Sequence, residues 1–347
     1  MGVVGIGYLG KFHAEKYASI PEVNLIGLAD ILPEKAREWA DKLGTKAFPN
    51  HRSLLGKVDA VSIVVPTDQH YQVAKDFLRA GCDVLVEKPI CSTLGEAEEL
   101  ISLGRKKGRI LQVGHLERFN PAILAVREKI RVPLFIECHR LTPFRGRGTE
   151  VDVVLDLMIH DLDIIFSFVR SPVKNIHAVG VPVLTDKVDI ANTRVEFEGG
   201  CVANITASRI SFEDQRRIRV FQPDTYLAMD YASKEITLYH RIFSTETQKF
   251  HIAAESIEVE PGDALEKEIR SFIASCRSRT TPVVTGEDGK NALAVAMRIN
   301  EQIWANQKKI PSIASFYGMR RDLANFPSEE PTGKRKANPW RRVKKPS

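Results

Sequence analysis

Apolar and polar residues follow two different patterns along the chain, and the change between them lies near residue 120. Before it, short apolar runs without polar alternation are separated by segments with helical periodicity. Such runs predict a parallel sheet with helices on both faces. The predicted strands lie at the start of the chain and at residues 23–29, 59–65, 83–86 and 110–113, and the predicted helices at 11–20, 33–43, 71–80 and 94–107.

After this point the apolar runs are longer and alternate with polar residues, which indicates an antiparallel sheet with one face on a core. Gly199-Gly200 and Gln222-Pro223-Asp224 mark turns between strands. The strands are predicted at 176–183, 192–198, 201–208, 216–221, 225–231 and 235–239, with a main helix at 152–168 and late helices at 264–277 and 288–307.

Length and pattern together predict two domains and a tail. A chain of 347 residues is longer than a typical single domain. We place the first domain at residues 1–118, the second at 119–315 and the tail at 318–347. The late helices either return to the first domain or bridge the two. The predicted fold class is α/β, with a doubly wound parallel sheet followed by an α+β domain.

The net charge of the chain is concentrated in the tail. Residues 318–347 hold nine Lys or Arg and three Asp or Glu, which accounts for the whole net charge of +6. The tail is also Pro-rich, so we expect a disordered, solvated extension, with contact to acidic lipid headgroups or nucleic acid as the alternative. The rest of the chain is neutral and gives no electrostatic reason to expect a nucleic-acid partner.

The composition is that of a soluble globular protein, with 43% hydrophobic and 27% charged residues. No apolar stretch approaches the ~20 residues that span a bilayer, and the start lacks the basic region of a signal peptide. The five cysteines are scattered without C-x-x-C spacing. We therefore expect reduced thiols in the cytoplasm, without disulfides, and no metal site.

The first strand leads directly into a G-x-G-x-x-G motif, Gly5-Ile6-Gly7-Tyr8-Leu9-Gly10. Gly5 permits a tight turn, Gly7 lets a pyrophosphate approach the backbone, and Gly10 lets the next helix pack close to the sheet. The amino terminus of that helix would face the phosphates. An ordinary turn with incidental glycines is the alternative, but the flanking strand and helix favour a dinucleotide site that includes Tyr8 and Leu9.

The end of the second predicted strand indicates which dinucleotide binds. Asp30 lies twenty residues beyond Gly10, where a carboxylate accepts hydrogen bonds from the adenosine ribose. It would repel the 2′-phosphate of NADP, and Ile31 stands where an Arg would help to bind that phosphate. Arg37 on the next helix leaves NADP open. We expect NAD in preference to NADP.

Two further strands end in polar groups at the same edge of the parallel sheet. Pro66-Thr67 and His70 follow one strand, and Glu87-Lys88-Pro89 ends the next. Thr67 suits a helix cap or a cofactor contact, and His70 a helix-face position or a contact near the cofactor. Burial beside a nicotinamide would lower the pKa of Lys88, which could then accept or relay a hydroxyl proton.

The main helix of the second half carries Asp156, His160 and Asp163 among apolar residues. The i, i+4 spacing places Asp156 and His160 on one face, one turn apart. Buried polar groups need partners or a cavity. They could be a capping Asp and a core His, but together with Lys88 and the glycine motif they favour an active site.

These motifs, with Val113-Gly114…Arg118-Phe119-Asn120-Pro121, resemble the glucose-fructose oxidoreductase/inositol dehydrogenase/rhizopine catabolism (Gfo/Idh/MocA) family in order and spacing over about residues 1–310. The resemblance implies a Rossmann domain and a C-terminal domain whose open, mostly antiparallel sheet carries the oligomer interface of a homodimer or homotetramer. It also implies NAD(P)-dependent oxidation or reduction of a sugar or cyclitol carbon, with Lys88, Asp156 and His160 at the reaction centre. One departure is Met158, where the family often has Gly.

Residues 113–121 and 156–163 most resemble a bacterial branch that oxidises the 3-hydroxyl of UDP-N-acetylglucosamine-type sugars for the cell envelope. Guanidinium groups at Arg145 and Arg147 suit a diphosphate, or equally a salt-bridged loop. With Arg118 and Asp163 they are the candidate substrate-binding residues. The alternatives are a dehydrogenase of a free sugar or cyclitol such as inositol, and a non-catalytic NAD-bound sensor or scaffold.

Overall fold

Two β-sheets organise the chain in a computed structural model that describes residues 1–146, 148–231 and 233–309. Residues 1–303 form one unit, which carries both sheets. Arg147 and the basic tail at 318–347 lie outside the described residues, as does the end of the second predicted domain at 315. None of the described helices is long and apolar enough to cross a membrane.

The first sheet is parallel throughout, with the strand order β3-β2-β1-β4-β5-β6. Its strands are β1 (Gly2–Val4), β2 (Gly27–Ala29), β3 (Lys46–Phe48), β4 (Ala60–Ile63), β5 (Asp83–Glu87) and β6 (Leu111–Gly114), and its helices are α1 (Gly10–Ser19), α2 (Pro33–Leu43), α3 (Thr67–Arg79) and α4 (Leu94–Lys107). The strand order reverses at β1, and ligands of such sheets bind at the carboxyl ends of the strands beside this point.

Neighbouring residues of β1 enter different cores on the two faces of this sheet. Val3 packs with Leu28 and Tyr17, whereas Val4 packs with Ile63 and Phe77. Burial on both faces explains why the strands are continuous apolar runs without polar alternation.

The helix ends of this domain follow from local sequence. Thr93 and Glu96 form a capping box at the start of α4, and Gly108 ends the helix with φ of 60°.

The second sheet has the order β14-β13-β12-β11-β7-β10-β9-β8, and only its β7–β10 pair is parallel. Its strands are β7 (Phe135–Leu141), β8 (Val173–Val181), β9 (Ile190–Phe197), β10 (Val202–Ser208), β11 (Gln215–Phe221), β12 (Thr225–Asp230), β13 (Glu235–Ser244) and β14 (Lys249–Ser256). The predicted fold class is confirmed: a doubly wound parallel sheet and an open, mostly antiparallel one.

The described residues contain four further α-helices: α5 (Pro121–Val126), α6 (Ile159–Phe168), α7 (Ala264–Ser278) and α8 (Gly286–Gln307). α7 packs on the first domain, where Ile269 and Phe272 share a core with Val3 and Tyr17. The regular helix predicted from residue 152 is wrong in its first part. Residues Val154–Met158 form a π-helical turn, in which the Ile159 amide donates to the Val154 carbonyl five residues earlier.

Candidate active site

The loop between β1 and α1 has the shape that a pyrophosphate requires. Gly5 has φ of 90°, and a Cβ there would lie 2.5 Å from the Val64 carbonyl oxygen; a Cβ at Gly10 would lie 1.8 Å from the Gly5 carbonyl oxygen. At Gly7, by contrast, a Cβ would meet no described atom within 4 Å. Glycines at positions 5 and 10 therefore hold the turn closed, while the backbone at Gly7 is open to a ligand. Tyr8 and Leu9 lie exposed on the same loop.

Asp30 is fixed beside this loop by backbone hydrogen bonds. Its Oδ2 accepts from the Ile6 amide at 2.6 Å and its Oδ1 from the Leu32 amide at 2.9 Å. Each carboxylate oxygen has a second lone pair, which a ribose hydroxyl can use. Ile31, the next residue, is exposed, as is Arg37 on α2. The residues of the glycine loop and Asp30 thus fit a bound dinucleotide.

Lys88, directly after β5, connects the first sheet to the π-helical turn of the second domain. Its Nζ donates to the backbone carbonyl of Asp156 at 2.8 Å and lies 3.7 Å from the Asp156 Oδ1. Burial lowers the pKa of Lys88, and the charges of Asp156 and Glu87 oppose that shift. π-turns are frequent at functional sites, and this one carries the carbonyl that receives the lysine.

His160 begins the regular part of this helix and lies half-buried, with its Nδ1 enclosed and without a hydrogen-bond partner among the described residues. Burial holds the pKa of His160 well below its ordinary value, and the positive charges of Lys88 and Arg140 act in the same direction. The imidazole is therefore neutral near pH 7 and able to accept a proton. Lys88 thus contacts Asp156, and its charge acts on His160.

The Asp156 carboxylate is held by a loop that the sequence analysis did not assign to it. Gly148 has φ of 68°, and a Cβ there would lie 2.6 Å from Asp156 Oδ2. Buried Arg209 secures this loop by donating to the carbonyls of Gly148, Val151 and Val188. A usable signal for Gly148 was its place in the glycine-bearing segment that precedes the helix of Asp156 and His160. Nothing in the local sequence pointed to Arg209, because it comes from the distant end of β10.

A histidine of α1 contacts the Glu87 carboxylate. His13 Nε2 lies 3.1 Å from Glu87 Oε1, and the Lys88 amide donates to Glu87 Oε2 at 3.2 Å. His13 Nδ1 in turn contacts Ser62, which hydrogen-bonds Tyr17. Burial raises the pKa of Glu87, but His13 and Lys88 together lower it by more, so the net shift is downward. The Glu87 side chain is therefore a fixed, ionised group beside Lys88.

His70 connects two strand ends of the first sheet. Its Nδ1 lies 2.8 Å from the Pro89 carbonyl oxygen and its Nε2 lies 2.8 Å from the Val65 carbonyl oxygen. Burial lowers the pKa of this histidine, and the two carbonyl contacts oppose the shift. Because both ring nitrogens are taken, His70 positions the strand ends. Thr67, half-buried, opens α3 after the exposed Pro66.

The described candidate substrate-binding residues, Arg118, Arg145 and Asp163, lie in two separate ion pairs. Partly buried Arg118 forms a bidentate ion pair with buried Asp163, at 2.7 and 3.0 Å. Arg145 is exposed and donates to Asp214 at 2.9 Å. Arg147 lies outside the described residues. Met158, which stands where the family often has Gly, is fully buried in the core.

The chain is similar in sequence and structure to known oxidoreductases. Residues 1–115 match the sequence model of the oxidoreductase family with an NAD-binding Rossmann fold, and residues 139–223 match the GFO/IDH/MocA C-terminal domain. The UDP-N-acetylglucosamine 3-dehydrogenase of Acidithiobacillus ferrooxidans is 37% identical over 305 residues, which cover 88% of this chain and 97% of that protein. Its crystal structure superimposes with a TM-score of 0.83 over the same shares of the two chains.

More distant relatives act on cyclitols. The myo-inositol 2-dehydrogenase of Thermotoga maritima is 27% identical over 314 residues, which cover 84% of this chain and 92% of that protein. The scyllo-inositol 2-dehydrogenase (NAD(+)) of Bacillus subtilis is 26% identical over 85% of this chain and 91% of that protein.

Proposed function

The chain belongs to the Gfo/Idh/MocA family of NAD-binding oxidoreductases, and on that premise we propose that it oxidises the 3-hydroxyl of a UDP-N-acetylglucosamine-type nucleotide sugar to a ketone. The substrate class rests on the 37% identity with a dehydrogenase of that sugar, against 27% with an inositol dehydrogenase. The observation that carries the activity is the contact of Lys88 with Asp156. It joins the nucleotide edge of the first sheet to the helix that carries His160.

The glycine loop and Asp30 would hold the adenosine and pyrophosphate part of NAD, and Pro66, Thr67 and Glu87 lie at the strand ends where the nicotinamide would be. Bound NAD would supply the acceptor for the hydride that leaves the sugar carbon. The charge of Asp30 supports NAD over NADP, because it would repel a 2′-phosphate.

Lys88 and His160 have different proposed roles toward the sugar hydroxyl. His160 is the proposed general base, because its neutral imidazole can take the hydroxyl proton; we assign the transfer to Nε2, since Nδ1 is enclosed. Lys88 donates a hydrogen bond to the same substrate oxygen as negative charge develops on it. Asp156 holds Lys88 in place, and its charge opposes the lowering of the Lys88 pKa by burial. The positive charge of Lys88 also favours release of the proton from His160 after turnover.

We also expect a homodimer or homotetramer. Exposed apolar side chains gather on β13 and β14, where Ile242, Phe243, Phe250 and Ile252 are all at the surface. Clusters of this kind commonly mark a protein interface.

A substrate screen tests the proposed function. NADH formation is measured with UDP-N-acetylglucosamine, free N-acetylglucosamine and myo-inositol at equal concentrations. We expect kcat/KM for the nucleotide sugar to exceed the other two by about 100-fold or more, a discrimination of roughly 2.7 kcal/mol. Inositol is included because relatives at 26–27% identity oxidise it; preference for inositol would replace the proposed substrate with a free cyclitol.

A further inference from the structure

Arg216 lies where the covered inner face of the second sheet ends. Ile218 and Val220, further along β11 on the same face, are fully buried, whereas the Arg216 side chain is 39% exposed. Side chains two residues apart in a strand point to the same side of the sheet. Arg216 therefore emerges from the edge of the core on the side that faces α6 and not on the outer surface.

This position is close to the proposed base. Arg216 lies opposite Arg140 in the β7–β11 ladder, and both guanidinium groups contact the same Glu117 oxygen, at 3.4 and 3.1 Å. Arg140 also binds Asp161, the residue after His160. The charge of Arg216 contributes to lowering the pKa of His160, so the two side chains are within electrostatic range.

Arg145 reaches the same place from the loop after β7. Its Nη2 donates to Asp214 Oδ2 at 2.9 Å, and the other oxygen of Asp214 lies 4.0 Å from Arg216 Nε. Asp214 thus holds one guanidinium on each side. The same loop continues to Gly148, which packs on the carboxylate of Asp156. The arginine pair, Arg145 and Arg216, is therefore connected to the helix of His160 through Glu117 and Arg140, and to Asp156 through the loop after β7.

The arginine pair differs from the other arginines near the site in being available. Arg140 is buried and donates to Asp161, Glu117 and Tyr231. Arg118 is partly buried and engaged in its short bidentate pair with Asp163. Arg145 is 57% exposed, and the contacts of Arg216 with Glu117 and Asp214 are long. Exposed and long ion pairs are weak, so phosphate oxygens can replace them with shorter, bidentate hydrogen bonds.

We propose that Arg216 and Arg145, held side by side by Asp214, bind the diphosphate of a nucleotide-linked sugar. The inference rests on the proposed function and specifies how the substrate class is chosen. In such a substrate the diphosphate is attached to the same pyranose ring that carries the reacting hydroxyl, so a ring held at His160 would carry its diphosphate on the substrate itself to the arginine pair. A free cyclitol has no anionic group for these guanidinium groups.

The test compares two neighbouring arginines of β11. Arg216→Gln removes one member of the pair, and Arg217→Gln is the matched control, because Arg217 is 50% exposed on the opposite face and pairs with Asp230. UDP binding to the NAD-loaded protein is measured by calorimetry, together with kcat and KM for UDP-N-acetylglucosamine. We expect Arg216→Gln to raise the UDP Kd and the KM by about tenfold, with kcat changed much less. A double variant, Arg216→Gln with Arg145→Gln, should raise them further.

The outcomes separate this inference from the proposed function. If the parent oxidises UDP-N-acetylglucosamine but Arg216→Gln and the double variant bind UDP as tightly as Arg217→Gln, the arginine pair is not the diphosphate site. If the parent binds no UDP and oxidises only a free polyol, the proposed function itself fails, and the inference with it. N-acetylglucosamine 1-phosphate, which has one phosphate, is tested as a second substrate. If the parent binds it as tightly as UDP-N-acetylglucosamine, and Arg216→Gln raises its KM by the same tenfold, the arginine pair does not require a diphosphate and the inference is contradicted. Unchanged NAD affinity and melting temperature show that each variant is folded.

Discussion

The Lys88 ammonium donates to the backbone carbonyl of Asp156 at 2.8 Å, although the two residues belong to different domains. The lysine comes from the carboxyl end of β5, where the nicotinamide of a dinucleotide would lie, and the carbonyl comes from the π-helical turn before α6. One contact therefore fixes the position of the cofactor edge relative to the helix that carries His160.

Asp156→Asn should move the alkaline limb of kcat/KM to lower pH. Burial lowers the pKa of Lys88 and the charge of Asp156 opposes that shift. The Asn variant lacks the opposing charge, so Lys88 loses its proton at a lower pH than in the parent. Above that pH, Lys88 no longer donates a hydrogen bond to the substrate oxygen. The pH dependence of kcat/KM measures the shift; an alkaline limb at the same pH as in the parent would show that Lys88 protonation does not control the rate.

Gly148→Ala should reduce kcat by about tenfold or more, because its Cβ would lie 2.6 Å from Asp156 Oδ2 and displace the carboxylate. Gly146→Ala is the matched control. Gly146 has φ of 62° against 68° at Gly148, but a Cβ there meets no described atom within 4 Å. Both variants share the backbone strain, and only one touches Asp156. Equal kcat values for the two variants would remove this loop from the positioning of Asp156.

Asp30→Asn should raise the affinity for NADP relative to NAD by about tenfold. The substitution keeps the size of the side chain and an oxygen for the Ile6 amide, but removes the charge that repels a 2′-phosphate. The Kd values of both dinucleotides are compared by fluorescence titration in the parent and the variant. An unchanged ratio of the two would mean that Asp30 does not select the cofactor.

Glu268 predicts a pH dependence of stability. Its side chain is fully buried on α7, and both carboxyl oxygens are without a hydrogen-bond partner among the described residues. Burial, with the charges of Glu87 and Asp163, raises its pKa well above the ordinary value. The folded chain then keeps a proton that the unfolded chain releases above about pH 4.3. The free energy of unfolding therefore falls as the pH rises from about 4.3 to the raised pKa of Glu268 in the folded chain.

Glu268→Gln lacks this titration, so its stability should improve relative to the parent between pH 5 and pH 8. The difference in the free energy of unfolding, measured by denaturant titration at both pH values, should change by about 1 kcal/mol or more. A difference that is the same at pH 5 and pH 8 would show that the Glu268 carboxyl titrates normally.

The sequence predicted those parts of the fold that depend on local order. The glycine loop, Asp30 and the Lys88 strand end follow one another within the apolar runs of the parallel sheet, so periodicity and spacing were enough. β3, β7 and β14 were missed. β3 and β14 are largely exposed and lack an apolar pattern, and one of the buried positions of β7 is the charged Arg140. The π-helical turn was missed because its residues have the same apolar pattern as an ordinary helix.

Partnerships across long sequence separations could not be predicted. Arg118 and Asp163 each looked like a substrate contact, but 45 residues apart in sequence they bind each other. Arg216 carried no motif; its availability depends on its face of β11 and on where the core ends. Arg209 supports the active-site loop from β10 for the same reason. A residue's charge is visible in a sequence, whereas its neutralising partner is a property of the fold.

Lys88→Met is the most direct test of the active site, because it removes the ammonium between the two domains and keeps the apolar length of the side chain. Lys75→Met is the matched control, since Lys75 is also a largely buried lysine of the first domain, 16% exposed against 18%, and pairs with Glu99. Turnover and the Kd for NAD are measured for both variants. We predict that Lys88→Met lowers kcat by about 10²–10³-fold with an NAD Kd like that of the parent, while Lys75→Met retains turnover. Near-parental turnover in Lys88→Met would contradict a dehydrogenase site at the Lys88–Asp156 contact.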